Sequence, residues 1–253
     1  MSNNKKNNNG SNACEIFFHL DKRFSHKPGL ELGATDSAHE VFFGRRGSDD
    51  VAVKPYRGED SLKKARHESR MLSIIRRAGF LSLEPLTVIA DRSERNAFLL
   101  TRYVPNLTSM AAVVAQQRRD PKELIRQTAV TLAQLHGKGI SHGDAQIKNF
   151  ALFPGCGGKI AVIDPEKGGQ ESTGHYKVQP YHHDLESLGQ SLAHKGYGGY
   201  DPDIAGDILI RDVVGPYVHV AEKHGVPGAH DIGESALMAF LGKHSDVNSR
   251  HRS

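Results

Sequence analysis

Cysteine is scarce in this chain of 253 residues. Cys14 and Cys156 stand far apart and unpaired in spacing, so neither a disulfide framework nor a zinc ribbon can be built from them. A reducing, cytoplasmic setting is expected. Tryptophan is absent, and no run approaches the roughly 18 consecutive apolar residues that a membrane helix needs. The opening Met1-Ser2-Asn3-Asn4-Lys5-Lys6-Asn7 has no apolar centre of the signal-peptide kind. Neither a membrane span nor secretion is expected. The chain also lacks a dominant charge: 33 Lys and Arg face 29 Asp and Glu, a formal +4, short of a nucleic-acid-binding composition. A nucleic-acid partner is not expected. Hydrophobic residues make up 38%, enough over this length to bury the core of one two-lobed domain or two small ones.

Residues 1–12 are dominated by Asn, Lys, Gly and Ser and residues 244–253 are similarly polar, so both read as loose tails. Val41-Phe42-Phe43 and Val51-Ala52-Val53-Lys54 read as a hairpin, its second strand ended by Pro55. A helical period follows over residues 61 to 78 and stops at Gly79; short strands over 86 to 90 and 97 to 101 complete a small antiparallel sheet of about five strands with one helix. Past Tyr103 the pattern turns helical: residues 107 to 117, then 120 to 136, with later helices near 183 to 193, 204 to 214 and 233 to 241. Two strands, over 150 to 153 and 159 to 163, flank the Gly-rich turn at Cys156. The expected organisation is α+β, with an N-terminal lobe over residues 13–103 and a mainly α lobe over 104–243.

The chemistry concentrates in His142-Gly143-Asp144-Ala145-Gln146-Ile147-Lys148-Asn149, where an Asp precedes an Asn by five residues, and in Asp164 just after the next strand. This is a phosphoryl-transfer arrangement: one carboxylate to orient or deprotonate the acceptor, one Asn and one Asp to hold magnesium. Alone, Asp144 would read as a turn or cap residue. Upstream, Lys54 ends a Val-Ala-Val-Lys strand where a phosphate-binding lysine belongs, and Glu68 sits mid-helix where it can pair with it. Alone, each is a solvated charge; the ordered set Lys54, Glu68, Asp144, Asn149 and Asp164 points to the bilobal protein-kinase-like fold. Arg66, Arg70, Arg76 and Arg77 read as one solvated helix face, Cys156 as a free thiol, and His175, His182 and His183 as surface or helix-start residues rather than metal ligands.

On these residues the chain resembles the protein-kinase-like superfamily in its compact bacterial and archaeal form. Residues 63 to 72, with Arg77-Ala78-Gly79, resemble the helix of the KEOPS-complex kinase. Leu135-His136, Gly139-Ile140 and His142-Gly143-Asp144 resemble the same group, lipopolysaccharide-core kinases and antibiotic phosphotransferases. The resemblance covers about residues 30 to 195. It implies that Gly33, Ser37, Ala38 and Val41 cover the nucleotide, that Tyr103 borders it, and that Asp184 anchors the backbone of the catalytic loop from the start of a long helix. ATP and Mg2+ are the implied cofactors.

The departures bear on the acceptor. The turn over residues 32 to 41 carries a single Gly and resembles the Ser-containing loop of RIO-type kinases. Asp164-Pro165-Glu166 stands where Asp-Phe-Gly is usual, and Gln146 where Ser/Thr kinases place a Lys, with Lys148 nearby. No Ala-Pro-Glu follows, so neither activation-loop regulation nor an extended docking groove is expected. The leading expectation is an atypical protein serine/threonine kinase with a protein substrate. A small-molecule phosphotransferase acting on an antibiotic, sugar or lipid headgroup, and a nucleotide-binding pseudokinase working through a protein partner, are the alternatives.

Overall fold

The computed structural model describes residues 17, 20, 21, 24–26, 41–116, 121–165, 167–170, 178–194 and 200–250. The tail read at 1–12 lies outside them. Strands β1 (Phe24–His26), β2 (Phe42–Arg46), β3 (Asp49–Arg57), β4 (Pro85–Ala90) and β5 (Asn96–Arg102) form an antiparallel sheet in the order β1-β2-β3-β5-β4. The period-two alternation of β3 and β5 sorts their side chains onto two faces. Val51, Val53, Phe98 and Leu100 bury with Phe17 on one face. On the other, Tyr56, Ala97 and Leu99 bury against Leu62, Ala65 and Leu72 of helix α1 (Ser61–Arg77).

Pro55 does not end β3 as the sequence led one to expect. Pairing with β2 stops at Val53, and beyond it β3 keeps only β5, with Pro55 opposite Phe98. A position with one neighbouring strand tolerates a missing N–H.

The second lobe holds β6 (Thr108–Ser109), α2 (Met110–Gln116), α3 (Pro121–His136), β7 (Ile140–Ser141), β8 (Phe150–Leu152), β9 (Ile160–Val162), β10 (Gly169–Gln170), α4 (Val178–Ala193), α5 (Pro202–Ile208), a π-helical stretch at Leu209–Val214, α6 (Gly215–Lys223) and α7 (Ala229–Arg250). Sequence reading missed α6 because Gly215-Pro216 looks like a break. Pro216 sits in the first turn, where a missing N–H costs no intrahelical bond. Helix α7 runs on to Arg250, through most of the stretch read as a loose tail.

Helix α1 joins the lobes. Its Met71, Ile74 and Ile75 belong to the main core, with Leu132, Leu185 and Leu209. Nearby, the Val162 N–H donates to the Leu81 carbonyl at 2.9 Å and the Ser82 hydroxyl to the Val162 carbonyl at 2.6 Å. The core sets one expectation: Leu132→Ala, fully buried on α3, should lower unfolding stability by about 2–5 kcal/mol through lost burial and a residual cavity. Urea denaturation measures it; a loss under about 1 kcal/mol would place Leu132 outside the close-packed core.

Candidate active site

Lys54 lies on the α1-facing side of β3, level with Leu99. Its Nζ donates to Glu68 Oε2 at 2.7 Å and also to Asp164 Oδ1. The ammonium thus joins a carboxylate of the first lobe's helix to one just past β9. Lys54 keeps 12% of its side-chain surface and Glu68 only 3%. Burial pulls the Lys54 pKa down, but the charges of Glu68 and then Asp164 outweigh it and the net direction is up. Burial pushes the Glu68 carboxyl up from its ordinary value, as does the charge of Asp164, against the opposing pull of Lys54. A further contact was not read from the sequence: the buried Tyr56 hydroxyl donates to Glu68 Oε2. The two-residue spacing from Lys54 along a strand was the available signal.

The segment from Ser141 to Asn149 is fixed largely by backbone bonds to buried side chains. Asp184, fully buried, accepts the N–H of His142 at 2.6 Å on Oδ2 and that of Gly143 at 2.6 Å on Oδ1. His136 donates from Nε2 to the same carboxylate at 3.1 Å and accepts at Nδ1 from Tyr217 at 2.6 Å. Burial and the negative Asp184 push the Tyr217 pKa upward, so its proton stays on as the donor. Asp184 sits inside α4, not at its start as expected, because that helix begins at Val178. His142 donates from Nε2 to the Ile163 carbonyl at 3.1 Å and receives the Asp144 N–H at Nδ1 across 3.4 Å. One ring therefore links the loop carrying Asp144 to the residue before Asp164.

Asn149 donates from Nδ2 to the Asp144 carbonyl at 2.8 Å and lies 3.4 Å from its Oδ2, while the Ile163 N–H donates to the Asn149 carbonyl at 3.0 Å. Asp144, Asn149 and Asp164 are thereby held on adjoining backbone. The Asn149 amide oxygen and the Asp164 carboxylate are hard oxygen donors of the kind magnesium takes. Asp164 has φ +58°, a left-handed conformation that Asp adopts more readily than most residues.

A slot reaches Asp164, walled by Val41, Ala52, Leu83, Leu99, Leu107 and Ile163, with Lys54 and Glu68 beside that carboxylate. Thr101 to Val104, where the chain leaves β5, complete the wall. Tyr103 lines the slot, and its N–H donates to the Asp50 carbonyl at 2.9 Å. Its ring meets Phe43 edge-on at 5.5 Å. Gly33, Ser37 and Ala38 lie outside the described residues, and so does His175. Among the described residues, no three His, Cys, Asp or Glu side chains gather as a metal cluster, and Cys156 is a free thiol.

The family model for lipopolysaccharide kinases (Kdo/WaaP family) matches residues 42–204, well over half of the chain. The chain belongs to the lipopolysaccharide kinase (Kdo/WaaP) family. Among solved structures, it is similar to "WaaP in complex with acyl carrier protein": 15% identity, 86% of this chain and 91% of that one covered, TM-score 0.49. No curated protein sequence matches it. Membership in this family makes the chain an ATP-dependent kinase with the bilobal kinase-like fold. The matched span takes in Lys54, Glu68, Asp144, Asn149 and Asp164 and stops within α5. The expectation of a protein serine/threonine acceptor is not supported. The family name points instead to the alternative, a small-molecule or lipid-headgroup acceptor. Among the described residues, no helix is long and apolar enough to cross a membrane.

In this Kdo/WaaP-family kinase, Gly143 has φ +80°, and a Cβ there would lie 2.1 Å from the Lys167 carbonyl oxygen. Gly47, at φ +63°, has open space around it. Gly143→Ala should therefore cut turnover by more than about tenfold, whereas Gly47→Ala should carry only the backbone cost of about 1 kcal/mol. Phosphotransfer rates and thermal melts of the two variants check this; equal behaviour would mean that the Lys167 backbone gives way without consequence.

Proposed function

We propose that this chain transfers the γ-phosphoryl group of ATP, with magnesium, to a sugar hydroxyl of a lipopolysaccharide. The observation carrying this reading is the meeting of Lys54, Glu68 and Asp164 beside an apolar slot, in a chain of the lipopolysaccharide kinase family. The slot suits a purine base, whose flat apolar faces need walls rather than many polar partners. Lys54 would exchange its Asp164 contact for the phosphates while Glu68 keeps it oriented. Asp164 and Asn149 Oδ1 would hold magnesium, which when bound neutralises charge on the phosphate oxygens. Asp144 would accept the acceptor's proton as the acceptor oxygen bonds to phosphorus and the bond to the ADP oxygen breaks. The lobes carrying these groups are read as residues 13–103 and 104–243. The use of ATP and the scarcity of cysteine suit a reducing, cytoplasmic setting.

Incubation with γ-labelled ATP and magnesium, offering in turn lipopolysaccharide lacking core phosphate and a mixture of proteins, tests the acceptor. Label on the saccharide supports the reading, and label on protein alone overturns it in favour of a protein kinase. Asp144→Asn should abolish transfer with nucleotide binding largely kept, because it removes the proton acceptor and leaves the phosphate contacts. Asp164→Ala should weaken magnesium-dependent nucleotide binding as well as turnover. Calorimetric titration of ATP with and without magnesium separates the two; near-normal turnover of Asp144→Asn would mean that another group takes the proton.

A further inference from the structure

We infer that Tyr56 is a positioning residue for phosphoryl transfer, its hydroxyl and ring together fixing the Glu68 carboxylate and the Lys54 ammonium. The inference rests on the kinase reading of this site. Lys54 and Tyr56 are two apart on β3 and so share the face turned to α1. The Tyr56 hydroxyl donates to Glu68 Oε2, the same oxygen that receives Lys54 Nζ at 2.7 Å. The Tyr56 ring centroid lies 5.2 Å from that Nζ, within reach of a cation–π contact. One side chain thus touches both members of the pair.

Packing alone does not account for it. Tyr56 is 2% exposed and sits among Leu62, Ala65, Leu72 and Leu99, a setting that Phe would fill without bringing a polar group that needs a partner. The hydroxyl is instead directed at a carboxylate that is itself almost wholly buried. When Lys54 leaves Asp164 for a phosphate, Glu68 must stay in place if it is to orient the ammonium. A second donor on Oε2, mounted on the same strand as Lys54, holds it there. The ring face meanwhile offers Nζ a surface that does not compete with phosphate for its protons.

Tyr56→Phe keeps the ring and removes the hydroxyl. It should lower kcat/KM for ATP about tenfold, the size of one hydrogen bond to a charged partner. The KM for ATP should rise while that for the acceptor stays within about twofold, since the nucleotide side of the site is the one disturbed. In a Glu68→Ala background the same change should alter kcat/KM by less than about twofold, because Tyr56 then has no carboxylate to hold. A thermal melt shows that the variants are folded. Unchanged kcat/KM in Tyr56→Phe overturns the inference, and so does an equal loss in both backgrounds, which would mean a general packing effect. Should the wild-type protein transfer no phosphoryl group, the proposed function falls first. A crystal structure of Tyr56→Phe then decides the Tyr56 role: separation of Lys54 Nζ from Glu68 Oε2 beyond about 4 Å supports it, and an unmoved pair overturns it.

Discussion

The Lys54 ammonium is the point on which the site depends. It lies on a strand of the small lobe, yet its two carboxylate partners come from α1 and from the end of β9. A buried cation needs anionic partners, and a buried anion needs a cation and further donors. Lys54, Glu68, Asp164 and the Tyr56 hydroxyl satisfy one another, so displacing any of the strand, the helix or the β9 segment would leave a charge uncompensated. Helix α1 is well suited to carry this coupling because its apolar side already belongs to two cores.

A second frame is built almost entirely on backbone. Asp184 receives two consecutive N–H groups, and His136, held by Tyr217, completes its hydrogen bonding. The Asp144 carboxylate takes no part in that frame; the Asn149 amide lies 3.4 Å from its Oδ2. Gly143 is where the frame becomes tight: the chain at Lys167 passes so close that no Cβ fits. His142 spans from this loop to Ile163, so one ring ties the loop with Asp144 to the residue before Asp164.

Much of this was legible in the amino-acid order. The α1 helix, the β8–β9 hairpin and most of the five-stranded sheet follow from hydrophobic period and turn residues, which act over a few neighbours. What escaped was decided over longer range. Strand β1 and the β7–β10 pair are too short to carry a period and exist through partners distant in sequence. Pro55 was read as the end of its strand, and no helix was expected past 214, where Pro216 opens α6; a proline's effect depends on whether a partner waits for its N–H.

The same division runs through the function. Residue types in order determined that this chain handles phosphoryl groups: a strand lysine, a helix glutamate, the Asp-to-Asn spacing and a later Asp are chemical requirements written locally. Tertiary structure decided which groups touch. It brought Asp164 to Lys54 across 110 residues and set Asp184 beneath the loop. It also turned Tyr56, to all appearance a core aromatic, toward Glu68. Spacing along the chain fixes what a residue can do, whereas a hydrogen bond needs its partners within about 3 Å, a condition that only the folded backbone sets.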